Sequence, residues 1–361
     1  MNIAITGACS TLARSVIGLL DRDDRVESIL ALDIRPYRGV PSAKLQFQRT
    51  DVRSLGDLRT ALAGREAVIH LVFVVVSDVP DFPTIQAVSV EGSRNVMQAS
   101  ADCGVRKLIY TSSVAAYGAV PGNPPVLKEE SPIRGEENKD NFYYAYTKAA
   151  VEKAMDDFVQ AHPRLVLTRL RPHLVAGPNF LEHTDNLASL SRIAGPSQSH
   201  WGFRPEGPNG SLLQYTHEED LAEAIQYALH HDLPGAYNIA GEPLDFVRYL
   251  KDRGKTFRRI PWAGAYILAS LLSPFSARSR LGRSWLVSAR YRNILDCSKL
   301  KRAGFDQPLR TTLQCIQEAV AYYGQRGAGR AIKARAPGDC RCRGHPRSPC
   351  EWTFRWRNQS V

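Results

Sequence analysis

The sequence has no long hydrophobic run. Its longest helix-like apolar stretch, residues 262–275, is interrupted by Ser270, Ser273 and Pro274 and falls short of the roughly 20 apolar residues that a membrane-spanning helix needs. Also lacking is a basic, cleavable leader: Met1 is followed at once by Asn2-Ile3-Ala4-Ile5-Thr6-Gly7, which reads as a strand that opens the fold. A cytoplasmic location is the expectation. Cysteine is sparse and odd in number, seven from Cys9 to Cys350, which argues for reduced thiols and against a disulfide framework. Repeats of the solenoid kind are missing too. What is present is ordinary for a packed protein: 361 residues, 43% hydrophobic and 23% charged, enough for one large α/β unit with a smaller lobe and incompatible with disorder as the main state. The formal charge of +11 is uneven, because nine Arg or Lys face two acids from Arg326 to Val361, a surplus of seven that leaves +4 for residues 1–325.

Short β-branched runs alternate with helical stretches through the first half. Strands are expected over 2–6, 28–33, 45–50, 67–72, 107–112 and 165–171, each apolar enough to be buried on both faces. Helices are expected between them over 11–20, 54–62, 83–103 and 141–160. This rhythm predicts a doubly wound α/β (Rossmann) parallel sheet with helices on both faces. After Gly177-Pro178 it loosens into Gly, Pro, Ser and Asn-rich loops, with a helix over 218–230, a strand over 236–239 and helices over 262–272 and 311–323. The expected organisation is a nucleotide-binding core over 1–178, a smaller, mainly substrate-binding lobe over 179–325 with some segments returning to the core, and a basic, solvated tail over 326–361.

The turn Thr6-Gly7-Ala8-Cys9-Ser10-Thr11-Leu12-Ala13 lies where a strand ends and a helix begins, the place where a pyrophosphate meets unpaired N–H groups and a helix dipole. Of the three small positions in a G-x-x-G-x-x-G loop only Gly7 is glycine; Ser10 costs room yet brings a hydroxyl, and Ala13 is a mild change. Asp33, at the end of the second strand, stands where a carboxylate hydrogen-bonds ribose hydroxyls and repels a 2′-phosphate. NAD is therefore expected ahead of NADP, although Arg35 could instead receive that phosphate. Asp51 and Val52, after the third strand, suit an adenine contact, while an Asp there is also a common helix cap.

Tyr144 and Lys148 share a helix face at i, i+4. A charge ~4 Å from the phenol at an effective dielectric of about 20 is worth ~4 kcal/mol, which would bring a phenol from ~10 toward ~7 and make Tyr144 a general acid or base. Thr111-Ser112-Ser113-Val114-Ala115-Ala116-Tyr117-Gly118 ends the fifth strand, at the sheet edge where α/β proteins place ligands. Ser113 there could bind the substrate oxygen whose proton Tyr144 handles.

With these motifs in this order, residues 1 to 325 resemble an extended short-chain dehydrogenase/reductase of the NAD-dependent epimerase/dehydratase family. The resemblance runs on through Val68-Ile69-His70-Leu71, Val90-Glu91-Gly92-Ser93-Arg94-Asn95-Val96, Arg169-Leu170-Arg171-Pro172, Gly177-Pro178, His217-Glu218-Glu219-Asp220-Leu221-Ala222, Tyr237-Asn238-Ile239-Ala240-Gly241 and Asp296-Cys297-Ser298-Lys299. It implies Ser113, Tyr144 and Lys148 as catalytic residues, with Thr147 in the Ser/Thr slot between the last two. Lys148 would also hold the nicotinamide ribose. The cofactor contacts implied are Gly7, Ser10, Thr11, Leu12, Asp33, Asp51, Val52 and Leu71, together with Tyr144 and Lys148. The departures are Ser10 for a loop glycine, Ser89 where an Asn supports the active-site backbone, Val72-Phe73 where small residues adjoin the nicotinamide, and Leu174 where sugar-nucleotide enzymes carry an Asn. Ser89 is expected to leave its supporting task to water.

The activity implied is NAD(P)-dependent hydride transfer at a secondary alcohol or ketone carbon. Net epimerisation or dehydration and net oxidoreduction both remain open, as do a sugar nucleotide and a hydroxysteroid-like apolar substrate. The competing class is an NAD(P)-binding sensor or scaffold with weakened catalysis. A small-molecule substrate is the expected partner and a homodimer is allowed; nucleic acid and membrane are not expected, although the tail arginines with Trp352, Phe354 and Trp356 would give salt-sensitive contacts. No metal is expected. Cys340, Cys342, His345 and Cys350 offer ligand atoms at a spacing that matches no standard finger. His70 reads as a satisfied core histidine, and His217 and Asp220 as the start of a helix.

Overall fold

The computed structural model describes residues 1–39, 41–75, 81–181, 199–203, 209–272, 283–291 and 293–334. Seven strands form one parallel sheet: β1 Asn2–Thr6, β2 Ser28–Asp33, β3 Leu45–Arg49, β4 Ala67–His70, β5 Lys107–Thr111, β6 Val166–Pro172 and β7 Gly235–Ile239, in the spatial order β7-β6-β5-β4-β1-β2-β3. Strand order reverses between β1 and β4, which opens a crevice at their carboxyl ends.

Each helix forms for a local reason and is kept by packing. In α1 (Thr11–Asp21), Ser10 caps the first turn by accepting from Ala13 N, and Leu12, Ala13, Val16, Ile17 and Leu20 make one buried face. Ser54 caps α2 (Leu55–Leu62) in the same way through Asp57 N. Residues 83–103, expected as one helix, are interrupted: a short turn at Phe82–Ile85 passes into a π-helical segment, Gln86–Glu91, before α3 (Gly92–Asp102) begins. Gly92 is needed at that junction, since a Cβ on it would lie 2.6 Å from Val52 Cγ2. The next long helix, α4 (Tyr143–Ala161), and then α5 (Glu218–His230) complete the layers.

The two faces of the sheet make two cores. One packs Ile3, Ile5, Ile29, Ile69 and Ile109 against α1 and α5; the other packs Ala4, Leu30, Val68, Leu108 and Tyr110 against α2, α3 and α4. Each fully buried Ile or Leu in these layers contributes roughly 1.5–3 kcal/mol. Ala176, Leu213, Tyr215, Phe246, Tyr249, Leu250 and Ile316 form a further cluster, built largely from the later part of the chain. Short strands join it to the sheet region, with Leu174–Ala176 pairing Tyr215–His217 in parallel.

Residues Met1–Tyr323 form one compact unit. The last helix, expected to end near Tyr323, continues to Ala334, because Ala, Arg and Lys are good helix formers even with Gly327 and Gly329 among them. Cys340, Cys342, His345, Cys350, Trp352, Phe354 and Trp356 lie outside the described residues. Among the described residues no helix is long and apolar enough to cross a membrane.

Candidate active site

The carboxyl ends of β4 and β5 and the first turns of α4 bring the reactive side chains together. Ser113 follows β5 in extended conformation and caps the 3-10 turn Val114–Tyr117 by accepting from Ala115 N at 3.1 Å. Tyr144 projects from the first turn of α4, and the Ser113 hydroxyl lies close enough to its phenol to favour the ionised form. Phe73 meets the Tyr144 ring edge-on, at 5.3 Å between centroids and 81° between planes. Phe142 lies on another side of it at 6.0 Å. The pairing of Ser113 with Tyr144 is thus set by a strand end and a helix start 31 residues apart in sequence.

Lys148, one turn along α4, is 2% exposed. Its ammonium donates to Thr111 O at 2.8 Å and to Tyr110 Oη at 3.1 Å, and the Phe73 ring covers it with its centroid 3.7 Å from Nζ. The Tyr144 ring centroid is 5.9 Å away. Helical spacing puts the two side chains on one face, but the lysine stem turns toward the end of β5 and not toward the phenol. The expected acidification of Tyr144 is therefore corrected: burial dominates and pushes its phenol up to about 12, with the Ser113 hydroxyl offsetting part of that rise. Burial also drives Lys148 well below its ordinary value, against the pull of the Glu152 carboxylate.

His70 is fully buried beneath this site. Ser93 Oγ donates to Ser89 O at 2.6 Å, so it accepts from His70 Nε2 at 2.9 Å, and the other ring nitrogen accepts from Thr6 Oγ1 at 2.7 Å. Both nitrogens are used, and burial with the nearby Lys148 charge lowers the imidazole to about 3. Ser89 corrects a second expectation. From the π-helical segment its Oγ accepts from Val74 N at 3.1 Å, so this short side chain supports the backbone directly and needs no water.

A buried polar network, which sequence reasoning missed, anchors α4. Glu152, fully buried one turn beyond Lys148, accepts from Arg171 Nε and Nη2 at 2.8 and 2.7 Å and from Ser112 Oγ at 2.6 Å. Arg171 Nη1 also donates to Tyr117 Oη at 2.7 Å, and that hydroxyl donates to Asn238 Oδ1 at 2.8 Å. Burial would raise the Glu152 carboxyl, but Arg171, Arg169 and Ser112 outweigh it and leave the group below its ordinary value. The available signal was the i, i+4, i+8 spacing of Tyr144, Lys148 and Glu152.

The other expected contacts surround the crevice. Gly7 has φ +76°, and a Cβ there would stand 2.8 Å from Val72 N and 2.9 Å from Leu71 C, so only glycine lets the β1–α1 turn lie against the end of β4. Leu71 N donates to Thr6 O at 3.0 Å, at the other wall of the same crevice. The N–H groups of Thr11 and Leu12, in the first turn of α1, have no carbonyl within the helix to meet. Ser10 Oγ, occupied as a cap by accepting from Ala13 N, keeps its own proton for donation. Asp33 accepts from Cys9 N and Arg35 N, both at 2.9 Å, and Arg35 Nε folds back onto it at 3.3 Å. Asp51 is gripped by Arg53, whose Nη2 donates to it at 2.6 Å, while the Val52 side chain packs into the core. His217 caps α5 by accepting from Glu219 N, and Asp220 accepts from Arg310 N at 2.7 Å.

Beside the Tyr144 cluster is a cavity of about 310 Å³ whose walls combine Val120, Trp262 and Tyr291 with the polar Glu137, Asn141 and Arg290. Ala119, Val287 and Tyr291 of its lining also belong to the apolar cluster in which Tyr144 packs.

Residues 3–240 match the model of the NAD dependent epimerase/dehydratase family. The chain belongs to that family. Among its relatives is cinnamoyl-CoA reductase 1 of Oryza sativa subsp. japonica, 32% identical over 228 residues, which are 60% of this chain and 62% of the relative. Another is an N-acetyl-alpha-D-glucosaminyl-diphospho-ditrans,octacis-undecaprenol 4-epimerase of Escherichia coli O157:H7, 29% identical over 196 residues, 54% of this chain and 55% of the relative. The chain thus spans less than two thirds of the length of both. The fold is shared with dTDP-glucose 4,6-dehydratase from Streptomyces venezuelae, solved with NAD and TYD bound, at TM-score 0.64 and 19% identity over 91% of this chain and 98% of that one. The family's cofactor fits the crevice: the cradle at Gly7 is one that a Cβ would fill, the α1 N-terminus faces it, and a carboxylate ends β2. Arg35, drawn onto Asp33, would have to leave it to reach a 2′-phosphate, which favours NAD.

Proposed function

We propose that this protein is an NAD-dependent oxidoreductase that transfers hydride at a secondary alcohol or ketone carbon, with Tyr144 handling the proton on oxygen. The observation that carries the reading is the Ser113–Tyr144 hydroxyl pair, at a strand end beside the crevice. Bound NAD would supply or accept the hydride. Gly7, Thr11 and Leu12 would receive the pyrophosphate on backbone N–H groups, Ser10 would add its hydroxyl, and Asp33 would bind the adenosine ribose. Asp51, tied to Arg53, and Leu71 would border the cofactor. Lys148 would hold the ribose next to the nicotinamide. Ser113 would donate to the substrate oxygen and align it with the phenol. With its phenol at about 12, Tyr144 is protonated at neutral pH in the free protein and is ready to donate when a carbonyl is reduced.

A substrate with an apolar body suits the site better than a sugar nucleotide. Supporting this is the packing of Leu174 against the apolar cluster of the later chain; the neighbouring cavity sets aromatic and aliphatic walls beside Glu137, Asn141 and Arg290, which would meet a polar end of the same substrate. The test is a fluorescence titration with NADH, followed by turnover of a panel of secondary alcohols, ketones and sugar nucleotides. Tyr144→Phe is expected to keep NADH binding and lose turnover by about 10²–10⁴-fold. Turnover that survives in that variant would remove Tyr144 from the chemistry, and binding without turnover on any substrate would favour a sensor.

A further inference from the structure

We infer that Phe73 sets the cofactor affinity of this protein: its ring occupies the side of Lys148 that the ribose next to the nicotinamide would need, so that ribose engages Lys148 only by displacing the ring. The inference rests on the proposed contact between Lys148 and that ribose. A lysine ammonium has three N–H bonds. In Lys148 two are taken by Thr111 O and Tyr110 Oη, and the remaining side is covered by Phe73 with its centroid 3.7 Å from Nζ. A ribose hydroxyl would have to come within roughly 2.7–3.2 Å of the same nitrogen, which places it inside the volume the ring now fills.

The backbone around Phe73 is fixed while the ring has room. Leu71 N is held by Thr6 O at 3.0 Å and Val74 N by Ser89 Oγ at 3.1 Å, so the chain is pinned on both sides of residue 73. The ring itself is only half-buried, resting on Lys148 and Tyr144 and against the core of that sheet face. Displacement is therefore a side-chain rotation, and it costs the cation–π contact together with part of the ring's apolar packing. Cation–π contacts correspond to roughly 3- to 30-fold in an equilibrium.

Calorimetric titration of the full-length protein with three ligands tests this. NAD and ADP-ribose carry the second ribose, and ADP does not. Phe73→Leu, which keeps apolar volume and removes the ring face, is expected to tighten NAD and ADP-ribose by roughly 3- to 30-fold and to leave ADP unchanged, the unchanged ADP affinity also showing that the variant is folded. In a Lys148→Met background the same substitution is expected to give no gain. Unchanged or weaker binding of NAD and ADP-ribose by Phe73→Leu would overturn the inference, as would an equal shift for ADP or a gain that persists without Lys148. A Phe73→Leu protein that binds ADP-ribose no better than ADP would instead overturn the ribose contact on which the inference stands.

Discussion

Lys148 is a cation in a place that suits a methionine better. It is 2% exposed, its partners are a carbonyl, a phenol and an aromatic face, and Glu152 is the anion that acts on it. Its folded-state value lies well below that of the unfolded chain, so below the folded value the charge is carried at full cost. Between the folded and unfolded values the unfolded state binds the extra proton, and stability rises with pH. The stability of the wild type relative to Lys148→Met is expected to increase as pH is raised from 7 toward about 10, the unfolded lysine range, read as urea midpoints at each pH. A flat or falling difference would mean that the ammonium is solvated. That stability cost is consistent with the role proposed for Lys148 at the ribose.

Helix α4 carries the site on its buried face: Tyr144, Lys148 and Glu152 succeed one another at four-residue steps, with Ala145, Ala149, Val151 and Met155 packed around them. Its span was legible from helical periodicity. What periodicity could not tell is that the Glu152 carboxylate is fully buried, because burial depends on Arg171 from β6 and Ser112 from the end of β5. Removing one partner of a buried pair leaves the other charged and unpaired, so Glu152→Ala is expected to cost about 3–5 kcal/mol in urea unfolding. A loss under about 1 kcal/mol, the value of an exposed pair, would show that water reaches Arg171. The π-helical segment before α3 was illegible for a similar reason. Nothing in Gln86–Glu91 announces an extra residue per turn, and the gain from it, Ser89 reaching Val74 N, involves a segment twelve or more residues earlier.

Across the whole molecule, buried carboxylates tie distant segments together. Asp23, after α1, accepts from Gln226 Nε2 and from His230 Nε2, both at 2.7 Å on α5. Burial opposes its ionised form, but these bonds and Arg25 outweigh it and hold the carboxyl well below the usual range. Glu152 is lowered by the same balance. For groups of this sign the unfolded state takes up protons first, so their stabilisation is complete above the unfolded carboxylate values of about 4 and is lost as pH falls through the lower folded ones. The urea midpoint is expected to fall steeply between about pH 5 and 3, and less steeply in Glu152→Gln. Equal slopes would exclude Glu152 from the acid transition.

The alternation of strand and helix, the order of the motifs and membership of the family follow from the sequence alone, because apolar periodicity and turn chemistry are written within a few residues of one another. The tertiary structure alone decided which atoms Lys148 meets, that the Tyr144 phenol is raised and not lowered, and that Phe73 rests on the ammonium. Desolvation and hydrogen bonding at a buried site are set by segments far apart in the chain, and a spacing of four residues fixes where side chains start, not where their charged ends come to rest.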